Sequence, residues 1–483
     1  MKRSIDVGKL LDIGIALSKE KDNDALLETI VTGAMDITNC DGGTLYIKKE
    51  DTLVFSIMVT RSMQVFKGGR NGSIELPPVP LSRQNVCACA VLERKLINIP
   101  DVYSSEQFDF SGPRRYDAMT GYKTTSQMVV PMEDDYGDII GVLQLINAQD
   151  EQGKTIPFDE DYAQVVLSLA SQAAICLTNR NLSAEITELL HSFVRVMSTA
   201  IDARSPYNAN HTRNMVRYGE RFLNWLQNFG GNLAFSDTER DQLLMSIWLH
   251  DVGKLVVPLE VMDKETRLGS RLPSVLHRFE VASLTNQIAM LNESITQDVY
   301  NARADFLSSA QELVKRSNSA GFLPDEDLER IQALAAETYT DADGSLQSFL
   351  NADDLVCLSV RRGTLTGNER QIMESHVEMT KRMLDEMTFS RNYRDVPEWA
   401  SAHHEFLDGS GYPLHLKSSD IPRSVRLLTI LDIFDALTAR DRPYKPAMPV
   451  ERALSILDSM ATEGKLDSDI LGLFKQSQAW LDS

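Results

Sequence analysis

The sequence predicts a two-part molecule. An α+β domain, an antiparallel sheet flanked by helices, comes first, and an all-α domain follows. Three observations carry this. The first third holds runs that alternate apolar and polar residues, "GGTLYIKKEDTLVFSIMV" (42–59) and "SQMVVPMEDDYGDIIGVLQLINA" (126–148). From residue 161 onward, apolar residues instead recur at spacings of three and four, as on helices. The chain has 483 residues, enough for several domains at about 100–200 residues each.

Taken in order, residues 24–38 read as a helix ahead of the strands. The second alternating run reads as a hairpin that turns at Asp134-Asp135-Tyr136-Gly137. Residues 161–203 read as a connector. Val166, Leu169, Ala173 and Cys176 repeat at three and four, and Leu182, Ile186, Leu189, Phe193, Val196 and Ala200 resume the series. That is the seam of a two-helix coiled coil, interrupted near "TNRN" (178–181). The plainer alternative is one amphipathic helix packed on its own domain. On the coiled-coil reading the protein is a homodimer, and the connector passes a signal from front to back. The domains are then 1–160, 161–203 and 204–475, with a helical insert at about 270–357.

Composition excludes some roles. Hydrophobic residues make up 43% and charged residues 24%, ordinary for a well-packed chain. The net charge is -20, which repels nucleic acid and anionic membrane, so neither is an expected partner. A small phosphate compound would need a local cluster of cations. The N-terminal residues lack the apolar core of a signal peptide, and no run reaches the roughly 18 apolar residues of a membrane span. The five cysteines show no paired spacing, which points to a reducing cytoplasm and no thiolate metal site.

The histidines of the second half fall on apolar stripes. His211 heads the series Met215, Tyr218, Phe222; His250 follows Leu243 and Ile247; His376 lies between Ile372 and Met379; Asp432 follows Val425 and Leu428. All four therefore face inward from helices. One inward histidine is ordinarily a satisfied core residue. Four inward polar residues, with the doublets His250-Asp251 and His403-His404, are another matter, because burying each costs about several kcal/mol unless it pairs or binds a metal.

Adjacent helical residues diverge by about 100°, so a doublet serves two neighbouring ions better than one. His211, His250, Asp251, His376, His403, His404 and Asp432 exceed what one six-coordinate ion holding water can use. They suit two divalent metal ions about 3.5–4 Å apart with Asp251 shared between them, a centre that activates water against a phosphate ester. Imidazole and carboxylate without thiolate favour iron or manganese. Lys254, four residues after His250, and Arg442 and Lys445, just beyond the Asp432 helix, are cations for the phosphate, although each alone reads as solvated charge.

Four ordered motifs, "SPYNANHTRNMVRYG" (205–219), "HDVGK" (250–254), "HHEFLDGSGYP" (403–413) and "LDIFDALTARDRPYK" (431–445), closely resemble the HD-GYP phosphodiesterases. The resemblance covers nearly all of 200–475. It implies an HD-superfamily metal-dependent hydrolase that cleaves cyclic di-GMP to pGpG and/or GMP. Asp251 and Lys254 are then catalytic and the seven residues above ligate metal. Lys254, Arg442 and Lys445 contact phosphate, and Gly411, Tyr412 and Pro413 shape a loop beside the substrate. Glu405 and Asp408 are expected to orient loop and ligands.

Two departures stand out. The segment "GTLTGNE" (363–369), which the family places just after the HD motif, comes about ninety residues later. Tyr207 stands where some members carry an acid for a third metal.

The front domain resembles the GAF sensory fold through "DAMTGYKTTSQMVVPM" (117–132), "GVLQLINA" (141–148) and "FDED" (158–161). Asn147 and Phe158 fit the cyclic-nucleotide constellation of that fold, while Ala148 replaces its lysine, which leaves an unknown small ligand as the expectation. Two other readings stay open: a non-catalytic cyclic di-GMP receptor, and an HD-superfamily hydrolase of another nucleotide.

Overall fold

The structure, a computed structural model, describes residues 7–20, 22–204, 210–439 and 447–481. The chain forms two compact units, Met1–Leu189 and Leu190–Ser483.

In the first unit, helices α1 (Val7–Lys19) and α2 (Asn23–Thr38) precede the sheet; Asp22 caps α2 by accepting from the Ala25 amide at 2.8 Å. The strands are β1 (Cys40–Lys49), β2 (Thr52–Thr60), β3 (Val65–Gly68), β4 (Val79–Pro80), β5 (Ile97–Ile99), β6 (Gln127–Glu133), β7 (Ile139–Gln149) and β8 (Thr155–Ile156). Their order is β3-β2-β1-β7-β6-β5, with β4 on β2 and β8 on β7, and every pairing is antiparallel.

The β6–β7 hairpin turns where the sequence predicts it, with Gly137 at φ 82°. Alternation then sorts side chains between two cores. Met128, Val130, Met132, Leu143 and Leu145 pack against α2 and the following long helix. Val129, Val142 and Tyr46 pack under α3 (Val86–Glu93) together with Phe110, just ahead of α4 (Ser111–Thr120).

Helix α5 (Glu160–Arg204) is 45 residues long and runs unbroken through 178–181. Its first half differs from a coiled-coil seam. Val166, Leu169 and Ala173 lie at 0%, 2% and 0% exposure in the front domain's own core. The second half keeps its series in the open, with Ile186, Leu189, Phe193 and Val196 all exposed by half or more.

The second unit is helical. Helices α6 (His211–Phe229), α7 (Asp237–Leu249) and α8 (Leu259–Met262) lead to a segment of its own core, built from α9 (Leu272–Leu291), α10 (Gln297–Ser319), α11 (Asp325–Ala336) and α12 (Ala352–Leu358). The sequence reads 270–354 as helical throughout. The structure instead inserts a hairpin, β9 (Thr338–Thr340) with β10 (Leu346–Ser348), because Asp341 and Gly344, at φ 87°, close a tight turn.

Arg267, fully buried, donates from its guanidinium to the carbonyls of Val360 and Ser317 at 2.7 Å each and to that of Ala320. It thereby ties the start of this segment to its end. The chain continues through α13 (Gly367–Asp385), α14 (Val396–Ala400), α15 (Arg423–Thr438), α16 (Val450–Thr462) and α17 (Ser468–Ser477). Helix α15 is the hub: Leu427, Leu428, Ile430, Leu431 and Phe434 are all at most 1% exposed, among residues of α6, α7, α16 and α17. Each such side chain contributes roughly 1.5–3 kcal/mol on burial.

Candidate metal centre

Five segments of the second unit bring the predicted ligands together. His211 is the first residue of α6, and His250 is the cap that ends α7. Asp251 has already left the helix, at φ -102° and ψ 8°, ahead of a 3-10 turn over Val252–Val256. His376 projects from the middle of α13, and Asp432 from α15. His403 and His404 lie in the turn after α14. Neither doublet is therefore helical. Each sits where a helix stops, which lets two neighbours point into one space more freely than a 100° helical step allows.

A glycine makes the approach possible. A Cβ on Gly253 would lie 1.9 Å from the His376 carbonyl oxygen and 2.6 Å from the Thr380 amide nitrogen, so only glycine lets the 3-10 turn lie against α13. Thr380 secures the contact. Its hydroxyl donates to the His250 carbonyl and accepts from the Gly253 amide, both at 3.0 Å.

Asp251 is the centre of the site. Its Oδ2 lies 3.2 Å from His250 Nε2 and 3.8 Å from His211 Nε2, while Oδ1 lies 3.4 Å from His376 Nε2 and 3.9 Å from His403 Nε2. Asp432 faces His211 Nε2 at 3.3 Å and His404 Nδ1 at 3.6 Å. The ligand atoms of His211, His250 and Asp432 lie within 4.8 Å of one another, as do those of His376, His403 and His404, and those of His250, Asp251 and His403. All except His404 are buried.

The tautomers follow from the backbone. His250, His376 and His403 each turn Nδ1 to the carbonyl three residues earlier, of Ile247, Met373 and Ala400, at 2.8, 2.6 and 2.7 Å. A carbonyl only accepts, so each Nδ1 carries the proton and each Nε2 presents a lone pair inward. The Nε2 atoms of His376 and His403 and Oδ1 of Asp251 are buried, with no hydrogen-bond donor among the described residues. Three inward lone pairs without a donor fit a cation.

Burial pushes the His376 imidazolium down to about 4 and that of His403 well below the ordinary range; His404 is lowered for the same reason. Burial works against the charged form of Asp251, but His250 and Lys254 outweigh it and hold the carboxyl well below the usual value. Burial likewise opposes charge on His211, yet its hydrogen bonds to Asp432 and Asp435 prevail and lift it to about 10. In the absence of cations a proton sits on His211; a metal ion would take that proton's place on Nε2.

Lys254 lies in the 3-10 turn, beyond the end of the His250 helix, and reaches Asp251 Oδ2 with Nζ at 2.6 Å. The predicted substrate loop folds around Glu405, which accepts from the Leu414 and Leu416 amides at 2.6 and 2.9 Å. Gly411 presses against the backbone, where a Cβ would meet Phe406 N at 2.4 Å. The Tyr412 ring lies 4.8 Å from the His404 ring, and Pro413 follows it through a cis bond. Asp408 caps its own turn by accepting from the Ser410 amide and hydroxyl. Arg442, Lys445 and Tyr207 lie outside the described residues.

Sequence reasoning left Asp435 without a role. It accepts from His211 Nδ1 at 2.7 Å and so aims Nε2 at the site. Its position three residues after Asp432, on the same helical face, was the available signal. Gly253 stands inside the HDVGK motif, whereas Thr380 and Arg204 carry no such signal.

The HD domain family matches residues 353–470, which include His376, His403, His404 and Asp432, and the GAF domain family matches residues 22–177. Among similar proteins, 3'3'-cGAMP-specific phosphodiesterase 3 of Vibrio cholerae is 38% identical over 20% of this chain and 20% of its own. A cyclic di-GMP phosphodiesterase of Thermotoga maritima is 39% identical over 23% of this chain and 28% of its own. The Vibrio cholerae 3'3'-cGAMP-specific phosphodiesterase 2 is 31% identical over 37% of each. The matched stretches thus span between a fifth and two fifths of these relatives. The chain therefore combines a GAF domain with an HD domain and is similar to proteins named as cyclic-dinucleotide phosphodiesterases.

Proposed function

We propose that the protein is a metal-dependent phosphodiesterase that hydrolyses cyclic di-GMP to pGpG and/or GMP under control of its GAF domain. One observation carries the reading: inward histidine lone pairs meet on both oxygens of a single buried carboxylate, Asp251. His211, His250, Asp251 and Asp432 would hold one divalent ion, and Asp251, His376, His403 and His404 a second, either iron or manganese. Such a pair, when bound, supplies an activated water and neutralises charge on the phosphoryl oxygens.

The remaining work falls to the chain. Asp435 holds the tautomer of His211, and the carbonyls of residues 247, 373 and 400 hold three more. Lys254, whose side chain is 17% exposed, offers its ammonium to a phosphate oxygen, and Arg442 and Lys445 are assigned the same task. Gly411 keeps the loop tight, so that Tyr412 and Pro413 stand beside the substrate.

A second substrate has specific support, since two of the relatives above are named for 3'3'-cGAMP. The protein, loaded with iron or manganese, is incubated with each dinucleotide, linear products are separated by chromatography, and metal is quantified beside an Asp251→Ala variant. Turnover by the parent alone, with about two ions per chain, supports the enzyme. Metal without turnover of either dinucleotide by the full chain points to a receptor.

Two finer readings accompany it. The exposed series Ile186, Leu189, Phe193 and Val196 would pair with its copy in a homodimer, which light scattering tests. Among the described residues no helix is long and apolar enough to cross a membrane, and a cytoplasmic location is proposed from the cysteine usage.

A further inference from the structure

The last turn of α5 touches the candidate site from two sides. Arg204, the final residue of the helix, donates from its guanidinium to the carbonyl of Lys254 at 2.6 Å and to that of Leu255. Two residues earlier, Asp202 accepts from the hydroxyl of Thr212, the neighbour of His211, at 3.4 Å.

Apolar packing holds roughly the last three turns of the same helix. Ile201 and Val194 are 5% and 0% exposed, in a cluster with Leu249, Val252 and Ala400. Leu249 precedes His250, Val252 follows Asp251, and the carbonyl of Ala400 holds His403 Nδ1. One helix end therefore bears on the backbone behind four of the ligand candidates.

The Lys254 carbonyl belongs to a short 3-10 turn, where it also accepts from the Val257 amide at 3.2 Å. Such turns are weakly held. A charged donor shared by two successive carbonyls fixes the backbone at the residue whose Nζ stands 2.6 Å from Asp251 Oδ2.

We propose that Arg204 is a positioning residue that sets the place of Lys254, so that a shift of α5 along or about its axis reaches the phosphate-binding lysine directly. The inference rests on the phosphodiesterase reading for what Lys254 does, and not for the clamp itself. Arg204 is the last described residue of a helix that begins in the front domain. The clamp therefore gives the signal expected of the connector a physical end point.

The test uses the full chain and two readouts. Hydrogen exchange by mass spectrometry compares the parent with Arg204→Ala and Arg204→Lys. The alanine variant is expected to speed exchange about tenfold or more in peptides covering 252–257, with metal content unchanged and the lysine variant in between. Steady-state kinetics on the dinucleotide then follow Arg204→Ala, Lys254→Ala and the double variant. The single arginine variant is expected to lower kcat/KM about tenfold, but less than twofold once Lys254 is gone.

Unchanged exchange at 252–257 overturns the clamp, whether or not the parent turns over substrate. Faster exchange with an undiminished arginine effect in the Lys254→Ala background overturns the route through Lys254. A parent that shows no turnover sinks the phosphodiesterase reading alone, and exchange still decides the clamp.

Discussion

Asp251 divides its carboxylate between two neighbourhoods: Oδ1 lies 3.4 Å from His376 Nε2, and Oδ2 lies on the side of His250 and His211. Asp432 also faces both sets, with His211 at 3.3 Å and His404 at 3.6 Å, but Asp251 meets four imidazoles, those of His211, His250, His376 and His403. Replacing it with alanine is expected to cut bound metal from about two ions per chain to one or none and to lower turnover roughly a thousandfold or more. Elemental analysis beside product chromatography measures both. Full metal content in the variant would remove Asp251 from the shared position.

Asp435 predicts a milder effect. It is in none of the candidate ligand groups among the described residues, yet it fixes the His211 ring through a 2.7 Å hydrogen bond. Asp435→Asn is expected to weaken metal binding about 10–100-fold while the fold persists. Competition with a chelator of known affinity reads the shift, and an unaltered affinity would show that the ring needs no such partner.

Gly253 tests packing and not chemistry. Because a Cβ there would meet the His376 carbonyl at 1.9 Å, Gly253→Ala must move the 3-10 turn off α13. The expected loss is at least about 1–3 kcal/mol of stability, with His250 and His376 pushed apart. A denaturant midpoint equal to that of the parent contradicts it.

The acid limb of stability reports on the buried histidines. Burial holds the His376 imidazolium at about 4, whereas the unfolded side chain titrates near about 6.5. The folded, metal-free protein then binds fewer protons than the unfolded one between those values, so stability falls as pH drops from about 6.5 toward about 4, by up to about 3 kcal/mol. His403 and His404 are shifted the same way. His211, raised to about 10, acts in the opposite direction: its contribution is complete below about 6.5 and is lost as pH climbs toward 10. Denaturant midpoints of chelator-treated protein should peak between these limbs, and His376→Gln should flatten the acid one. A midpoint that does not change between pH 6.5 and 5 would falsify the neutral-histidine account.

Much of this was legible in the chain because it depends on local pattern. Period-two runs specified β6 and β7, and inward spacing drew His211, His376 and Asp432 out of their helices. The helical step on which the doublets are read as serving two ions fails, since His250 and His404 stand where helices end. Backbone termination of that kind depends on packing against α13, which local spacing does not encode. The first half of α5 shows the same limit. Val166 and Ala173 keep the spacing of a seam, and spacing alone cannot say whether a partner copy or the sheet of the same domain covers them. Arg204 was silent because its partners are main-chain carbonyls, which every sequence has.

Arg267 gives the inserted segment a particular standing. By bonding at once to Val360, Ser317 and Ala320 it holds the point of departure beside the point of return, so roughly ninety residues of extra chain lengthen the path without stretching the scaffold. Lys264, on the near side, meets Glu369, on the far side, with Nζ 2.8 Å from both carboxylate oxygens. Glu369 in turn helps Thr366 cap the helix that carries His376. The junction behaves like a socket with its own latch. What is plugged into it can vary in length and surface while the helix beyond it starts in the same place.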